Sequence, residues 1–367
     1  MSKNKILNHS KCFFVNHSTV CDNNKDDIVK TLENISGNVG NTYITYCSMM
    51  LLFGCIPKIT INAGIDNIFM NPYKLNDIDT NEINNNYDIC IINMQDQLRR
   101  EISYYGDTEN AFKQINSFLL KINIPIFCFG LGSNCFELDN FSNIINELYD
   151  SQKEFIQIIS SKSCLFSIRG KYTKLIMDKL NITNYKMTGC PSYYLPTRKK
   201  IIYKPKISKI VIAGLTNLLE SSQPITHFGN IIFPNDCELY YFCQDYHELS
   251  FINKIKINNV NIVFLTDFDE INNFFEDKHL TIGSRVHCSI ISLNNGLLPI
   301  CYSGDSRATE MCELFKIPHH FNSHIDLNVT NIYDVIDFEK INENYEQLKV
   351  EHDLFLEANI KNVYPIQ

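Results

Sequence analysis

The sequence lacks the features that mark several broad classes of protein. Its longest apolar runs, such as residues 49–56, are too short to span a bilayer, and the opening MSKNKILNHSKCFF has no apolar core of a signal peptide. Lysine and arginine number 33 against 41 aspartate and glutamate, a formal net charge of −8, whereas nucleic-acid binders normally carry a basic face. No internal repeat or coiled-coil heptad is present in the sequence. We therefore expect a cytoplasmic protein with no transmembrane segment and no nucleic-acid partner.

The 14 cysteines also lack an ordered spacing. They form no C-x-x-C pair, and several, including Cys90, Cys128 and Cys164, lie inside apolar runs where a free thiol acts as a small hydrophobic side chain. This pattern favours a reducing compartment over a disulfide scaffold or a zinc site. The acidic residues of 267–270, DFDE, directly precede a predicted helix, which favours a helix cap over a metal site. We expect no bound metal.

Short apolar runs of strand length alternate with segments of helical spacing. The predicted strands are residues 87–94, 124–131, 164–169, 185–188, 207–213, 260–265, 280–283 and 298–302. The predicted helices are residues 41–53, 109–121, 141–160, 172–180, 246–257, 271–277, 288–294 and 308–315. Nearly continuous apolar strands that alternate with helices are typical of parallel sheets covered on both faces. The sequence therefore predicts an α/β protein of the doubly wound type.

A chain of 367 residues is long for one hydrophobic core and suits two domains. The basic stretch PTRKKIIYKP, residues 196–205, is bracketed by prolines and precedes a new strand, so it predicts the boundary. We expect one Rossmann-like domain in residues 1–196 and a second in residues 207–367. Residues 338–356 predict a C-terminal helix that packs back on the first domain. Parallel sheets in tandem would face a central cleft.

Two glycine-containing turns have the composition of ligand-binding loops. ISGNVGN, residues 35–41, precedes a predicted helix and offers Asn38, Gly40 and Asn41, while FGLGSN, residues 129–134, follows a strand. The candidates in the second turn are Gly132, Ser133 and Asn134. Backbone N–H groups at such places bind anions or sugar hydroxyls. The alternative for the first turn is a simple turn with Asn41 as the helix cap.

Two further stretches place polar side chains at strand ends. CLFSIRGKYT puts Arg169 at the end of a strand, where an arginine is suited to bind a carboxylate or a phosphate. The alternative is a surface arginine paired with a neighbouring acid. In GCPS, Ser192 would present its hydroxyl to the cleft. Cys190 is interpreted as a buried turn cysteine, because no histidine or carboxylate lies near it in the sequence.

The stretch LTIGSRVHC carries the strongest signal. Gly283 and Ser284 end a strand, and Arg285 and His287 then lie where a helix begins, so the helix N-terminus adds its positive potential to theirs. We expect an anion site with a titratable proton donor beside it.

The next strand is followed by SGDSRATE, which offers Asp305, Arg307 and Glu310. One interpretation has Asp305 as a helix cap and Arg307 paired with Glu310 three residues later. The other has Arg307 or Glu310 contacting a donor molecule in the cleft.

Taken together, CLFSIRGKYT, MTGCPSYYLP and TIGSRVHCSIISLNNGLLPICYSGDSRATE resemble the polysaccharide pyruvyl transferase family in their order and spacing. The resemblance extends from about residue 37 to residue 318. It implies a glycosyltransferase-B-like fold and transfer of a pyruvyl group from phosphoenolpyruvate to a sugar of a polysaccharide, a glycan or a nucleotide- or lipid-linked precursor, giving a ketal. Phosphoenolpyruvate would be a co-substrate, and no other cofactor is implied.

The resemblance also implies roles for particular residues. The family carries phosphoenolpyruvate on arginines and a histidine in these motifs, and the matching positions are Arg169, Arg285 and His287. His287 would then act either as the acid or as a base toward the sugar hydroxyl, and the sequence leaves both roles open. Two positions depart from the family pattern: Cys288 stands where glycine is common, and Asn41 stands where aspartate is usual. We expect the first to narrow the pocket and the second to alter substrate binding. A glycosyltransferase that uses a nucleotide sugar on the same fold remains the alternative function.

Overall fold

The computed structural model describes residues 11–17, 38–54, 64–66, 68, 72–99, 107–134, 144–214, 227–228, 231–233, 236–245, 248, 260–303, 305–319, 327–328 and 332–364. No helix in these ranges is both long enough and apolar enough to cross a membrane.

The first sheet comes from the first half of the chain. Its four strands are β1 (Cys12–His17), β2 (Gly64–Asp66), β3 (Ile89–Asn93) and β4 (Ile126–Phe129), in the order β2-β1-β3-β4, and all pairs are parallel. A parallel pair, β5 (Phe166–Ile168) and β6 (Tyr185–Met187), continues it through a bridge between Leu131 and Ile168.

The second sheet comes from the second half of the chain. Its five strands are β7 (Lys209–Ala213), β10 (Glu238–Cys243), β11 (Val260–Phe264), β12 (Leu280–Gly283) and β13 (Leu298–Cys301). Their order is β11-β10-β7-β12-β13, and every pair is parallel. A small separate sheet joins β8 (His227–Phe228), β9 (Ile231–Ile232) and β14 (Leu327–Asn328).

Helices connect and cover the strands. They are α1 (Val39–Phe53), α2 (Thr80–Asn86), α3 (Thr108–Lys121), α4 (Ile144–Glu147), α5 (Asp150–Lys162), α6 (Lys171–Lys179), α7 (Phe268–Glu276), α8 (Val286–Asn294), α9 (Ser306–Phe315), α10 (Ile332–Val335) and α11 (Phe338–Val363). Two 3₁₀ helices span Pro72–Asp77 and Pro191–Tyr194.

The first sheet is covered on both faces, as parallel sheets require. Along β1, Phe13 and Val15 enter one hydrophobic cluster, whereas Cys12 and Phe14 enter another. Because successive side chains of a strand point to opposite faces, the two clusters lie on the two sides of the sheet. The predicted α/β fold with two Rossmann-like parallel sheets in a glycosyltransferase-B-like arrangement is confirmed.

The C-terminal helix α11 contacts the first sheet. The ring of Phe355 meets that of Phe129 on β4 at 5.3 Å between centroids, and the side-chain oxygen of Asn359 accepts the Leu165 N–H. Lys186 on β6 pairs with Glu351 at 2.7 Å. The chain therefore returns from the second half to cover the first sheet.

All the predicted strands occur, but the prediction missed two central ones. β1 lies between β2 and β3, and β10 lies between β7 and β11. The predicted helix 141–160 is wrong as a single helix: α4 ends at Glu147, and α5 begins after Tyr149, whose N–H is bound by the Gln152 side chain. Most of the predicted helix 246–257 lies outside the described residues.

Candidate active site

The carboxyl ends of strands from both halves meet at a cavity of about 250 Å³. The first half contributes Asn38, Asn41, Gln95, Asp96 and Arg169 to its lining. The second half contributes, among others, Gln244, Ser284, Arg285, His287, Asp305 and Arg307. This is the place where open parallel sheets bind ligands, since the loops after the strands converge there.

Three helices begin at the cavity. In α1, Asn38 caps the helix by accepting the Gly40 N–H at 2.8 Å, so the expected cap at Asn41 is wrong. In α9, Asp305 accepts the Ala308 N–H at 2.8 Å. In α8, the N-cap position is Arg285, whose side chain makes no capping hydrogen bond. The first N–H groups of α8 therefore remain available to an anion.

Arg169 is the most deeply buried cation of the site, at 1% exposure. Its Nε donates to the Gly130 carbonyl at 3.1 Å and its Nη2 to the Met94 carbonyl at 3.5 Å. Within the described ranges, no carboxylate oxygen lies within ion-pair distance of its guanidinium. The alternative of a surface arginine paired with an acid therefore does not hold.

Arg285 and Arg307, in contrast, each have two acidic partners. The Nε of Arg285 donates to Glu248 at 2.7 Å, and its Nη2 donates to Asp245. Arg307 bridges Asp305 at 2.9 Å and Asp96 at 3.3 Å, the latter across the cavity. The expected pair between Arg307 and Glu310 does not form, because Arg307 turns toward these two carboxylates.

The environment of Asp96 keeps it ionised. Burial alone would raise its pKa, but the charges of Arg307, Arg99 and Arg169 outweigh burial, and the pKa lies well below its usual range. Asn134 also donates to Asp96 at 3.1 Å. The candidate Asn134 thus acts on the site through Asp96 and does not line the cavity.

His287 lines the cavity as a neutral imidazole. Burial, followed by the neighbouring charges of Arg169 and Arg307, lowers its pKa from 6.5 to about 3. The expected proton donor is therefore unprotonated in the free protein, which makes it a proton acceptor near neutral pH. Its Nε2 lies 3.8 Å from the Sγ of Cys190, a neighbour that the sequence did not reveal.

Three candidate glycines lie where the Cβ of any other residue would collide with neighbouring atoms. A Cβ at Gly40 would lie 2.8 Å from the Nδ1 of His287, and one at Gly132 would lie 2.5 Å from the Cδ of Arg169. A Cβ at Gly283 would meet the Ala213 carbonyl oxygen at 2.0 Å, so this glycine permits the pairing of β12 with β7. Ser284 lines the cavity, and its hydroxyl donates to the Gly214 carbonyl at 2.7 Å.

The remaining candidates lie behind the cavity wall. Ser192 is fully buried, and its hydroxyl contacts the Sγ of Cys190 at 2.9 Å, so it does not present a hydroxyl to the cleft. The Ser133 N–H donates to the Thr173 hydroxyl oxygen at 3.1 Å. Glu310 accepts the Thr173 N–H at 3.0 Å and the Tyr172 N–H at 3.2 Å. Because Glu310 lies in α9 whereas Tyr172 and Thr173 lie in α6, these hydrogen bonds connect the two halves of the chain.

The two departures from the family pattern have different outcomes. Cys288 is 1% exposed and packs into the core of the second half, so it does not narrow the cavity. Asn41 lines the cavity, as expected of a residue that contacts substrate.

Sequence reasoning missed Gln95, Asp96, Gln244 and Glu248. Gln95 and Asp96 follow a strand that was predicted, so the strand-end rule applied to β3 would have found them. Gln244 and Glu248 follow β10, which was not predicted.

Comparisons with solved structures give several similar chains. A candidate UDP-N-acetylglucosamine 2-epimerase from Listeria monocytogenes is 11% identical, with 98% of each chain covered and a TM-score of 0.49. The UDP-GlcNAc 2-epimerase from Neisseria meningitidis is 11% identical, with 97% of this chain and 96% of that chain covered and a TM-score of 0.42. The glycosyltransferase SnogD from Streptomyces nogalater is 10% identical, with 96% and 98% covered and a TM-score of 0.37.

Among curated proteins there is no match. The family model of polysaccharide pyruvyl transferase matches residues 38–306, a span that contains every lining residue of the cavity except Arg307 and Ala308. This match extends over well more than half of the sequence, and the chain therefore belongs to the polysaccharide pyruvyl transferase family.

Proposed function

We propose that the protein transfers the pyruvyl group of phosphoenolpyruvate to two hydroxyl groups of a sugar and forms a pyruvate ketal. The observation that carries this proposal is Arg169: it is a buried cation at a cavity, and within the described residues it has no acidic partner. Removing a charge from water costs several kcal/mol unless another charge compensates it. An anionic ligand would supply that compensation.

Phosphoenolpyruvate matches the groups that remain free around the cavity. It carries a carboxylate and a phosphate, and a guanidinium binds either through two parallel hydrogen bonds. The N-terminus of α8, which Arg285 does not cap, offers backbone N–H groups at the same cavity as Arg169. Arg285 and Arg307, whose charges are already balanced by carboxylates, would contribute N–H donors and not net charge.

The first half of the reaction is an addition to the enol double bond. The oxygen of one sugar hydroxyl bonds to C2 of phosphoenolpyruvate, and C3 gains a proton. The neutral imidazole of His287, which lines the cavity, would take the proton from that hydroxyl and return it to C3. The bound anion raises the proton affinity of His287, since an opposite charge favours the protonated ring.

The second half closes the ketal. The bond from C2 to the phosphate oxygen breaks, and the oxygen of the second hydroxyl bonds to C2. The proton of this hydroxyl leaves with inorganic phosphate, so atoms and charge balance. Arg169 and the α8 N–H groups would stabilise the departing phosphate, where negative charge increases.

The direct test is incubation with phosphoenolpyruvate and a panel of nucleotide- and lipid-linked sugars, with mass spectrometry for the pyruvyl adduct and a parallel assay of released phosphate. We expect equal amounts of adduct and phosphate, and none with His287→Gln. A thermal-shift comparison of phosphoenolpyruvate with UDP separates the alternative. Stabilisation by the nucleotide alone would favour a glycosyltransferase and contradict the proposal.

A further inference from the structure

The imidazole of His287 has two different surroundings at its two nitrogens. Its Nε2 faces the Sγ of Cys190 at 3.8 Å, and both Cys190 and Ser192 behind it have no exposed surface. Its Nδ1 has no hydrogen-bond partner in the described part of the chain and lies beside Gly40, where a Cβ would come within 2.8 Å of it. Nε2 therefore points toward the buried sulfur, and Nδ1 lies on the other side of a ring that lines the cavity.

The position of the sulfur relative to the ring is fixed by the surrounding structure. Cys190 precedes the 3₁₀ helix Pro191–Tyr194, and the preceding Gly189, with φ of 77°, donates its N–H to the Ile168 carbonyl at 3.0 Å. Asn294, at the end of α8, donates to the Ser192 carbonyl at 2.8 Å. This bond ties the GCPS turn to the helix that carries His287.

We propose that Cys190 is a positioning residue for His287: its sulfur accepts a hydrogen bond from Nε2–H, which leaves the Nδ1 lone pair facing the substrate. This inference rests on the proposed function, in which His287 takes the proton of a sugar hydroxyl. A neutral imidazole carries one proton, and the hydrogen bond made by one nitrogen decides which nitrogen holds it.

The donor strengths favour this direction of the bond. An imidazole N–H is a strong donor, whereas a thiol S–H is a weak one. A proton on Nε2 would therefore be donated to the Cys190 sulfur, the acceptor that the described residues place there. The Ser192 hydroxyl donates to the same sulfur at 2.9 Å and orients it. The arrangement follows the general rule that a catalytic base is itself held by a third group.

The charged groups around the ring act on a different property. Arg169, Arg307 and Arg285 disfavour a positive charge on His287, and Asp96 favours it. They change how strongly the ring binds a second proton. The sulfur at Nε2 instead determines where the first proton lies.

The first experiment measures the tautomer directly. We would record nitrogen NMR spectra of the full-length protein with labelled histidine and assign His287 with the His287→Asn variant. The expected state is an unprotonated Nδ1 with a protonated Nε2, changed to a tautomer mixture in Cys190→Ala. The matched control is Cys128→Ala, which removes an equally buried sulfur of β4 that belongs to a different hydrophobic cluster from Cys190. A proton on Nδ1 in the unmodified protein would overturn the inference.

The second experiment measures turnover with phosphoenolpyruvate. Loss of the acceptor should lower kcat about tenfold in Cys190→Ala and leave the KM for phosphoenolpyruvate within about twofold. The acid limb of the pH profile should move to lower pH, because the protonated ring also loses its acceptor. Cys190→Ser keeps an acceptor and should recover part of the rate. Unchanged kcat and pH profile in Cys190→Ala would refute the positioning role.

The two experiments distinguish an error in the proposed function from an error in the role of Cys190. If the tautomer is as expected but phosphoenolpyruvate is not turned over by the unmodified protein, the proposed function is wrong and the hydrogen bond to Cys190 stands. If phosphoenolpyruvate is turned over but the tautomer is the opposite one, the function stands and the role of Cys190 is wrong.

Discussion

The two walls of the cavity hold their arginines in opposite ways. On the wall from the first half, Arg169 donates only to backbone carbonyls and keeps its net positive charge. On the wall from the second half, Arg285 and Arg307 are each held by two carboxylates. The sequence motif R-x-H draws attention to Arg285, yet among the described residues Arg169 is the cavity arginine with no carboxylate within ion-pair distance. Proximity in a motif therefore does not show which arginine of the cavity lacks an acidic partner.

The largest expected effect comes from removing the uncompensated charge. Arg169→Met should lower turnover with phosphoenolpyruvate by about 10³-fold, the order expected when a group that stabilises transition-state charge is lost. The same variant should unfold at an equal or higher temperature, because the free protein no longer buries an unpaired cation. Enzyme assays and thermal unfolding without ligand measure the two effects. A destabilised protein with normal turnover would show that the two walls do not differ as we infer.

The bridge between the two walls should give the next largest effect. Burial raises the pKa of Glu310 to about 7, although hydrogen bonds from Thr173 oppose the shift. A carboxyl whose pKa is raised on folding stabilises the protein below its unfolded value near 4.5, and this contribution is lost as the pH rises toward 7.

Glu310→Gln removes that pH dependence. Between pH 5 and pH 8, the free energy of unfolding should shift in favour of the variant by up to about 3 kcal/mol, measured by denaturant titration at several pH values. Glu313→Gln is the matched control, since Glu313 lies on the same helix and pairs with the partly exposed Lys171. A parallel pH dependence in both variants and the unmodified protein would mean that Glu310 is ionised throughout this range.

How far the sequence predicted this site depends on the kind of interaction. Arg169, His287 and Asp305 follow predicted strands, so the rule that parallel sheets bind ligands at their carboxyl ends placed them at one cavity. The partners of Arg285 could not be found, because Asp245 and Glu248 follow β10, a strand missed by the prediction. The contact between Cys190 and His287 joins residues 97 positions apart, and no local pattern records such a contact.

A smaller effect is expected on the compensated wall. Arg285→Met leaves Glu248, with a side chain only 2% exposed, and Asp245 without their cation. Because the Arg285 side chain is 34% exposed and screened by solvent, we expect a loss of about 2 kcal/mol in the free energy of unfolding. The double variant Arg285→Met with Glu248→Gln should recover part of this loss. Equal thermal stability of Arg285→Met and Arg169→Met would remove the contrast between the walls.

The smallest effect tests whether a missing partner by itself indicates a ligand. His352 in α11 is 1% exposed and stacks on Tyr194 at 4.0 Å, and within the ranges that the structure describes neither ring nitrogen has a hydrogen-bond partner. His352 does not line the cavity. Burial lowers its pKa to about 3, so the ring stays neutral and no charge is buried there. Arg169, in contrast, stays charged, since a guanidinium does not lose its proton in proteins.

His352→Phe should therefore favour the folded protein more in mild acid than at pH 8. An unfolded histidine binds a proton below pH 6.5, whereas folded His352 does not until about pH 3, so stability falls as the pH decreases through this window. At pH 5.5 the variant should gain about 1 kcal/mol over its advantage at pH 8, measured by denaturant unfolding. If the free energies of unfolding of the variant and the unmodified protein differ by the same amount at both pH values, His352 is protonated in the folded protein at pH 5.5. Burial without a hydrogen-bond partner would then not distinguish a structural histidine from a ligand-binding arginine.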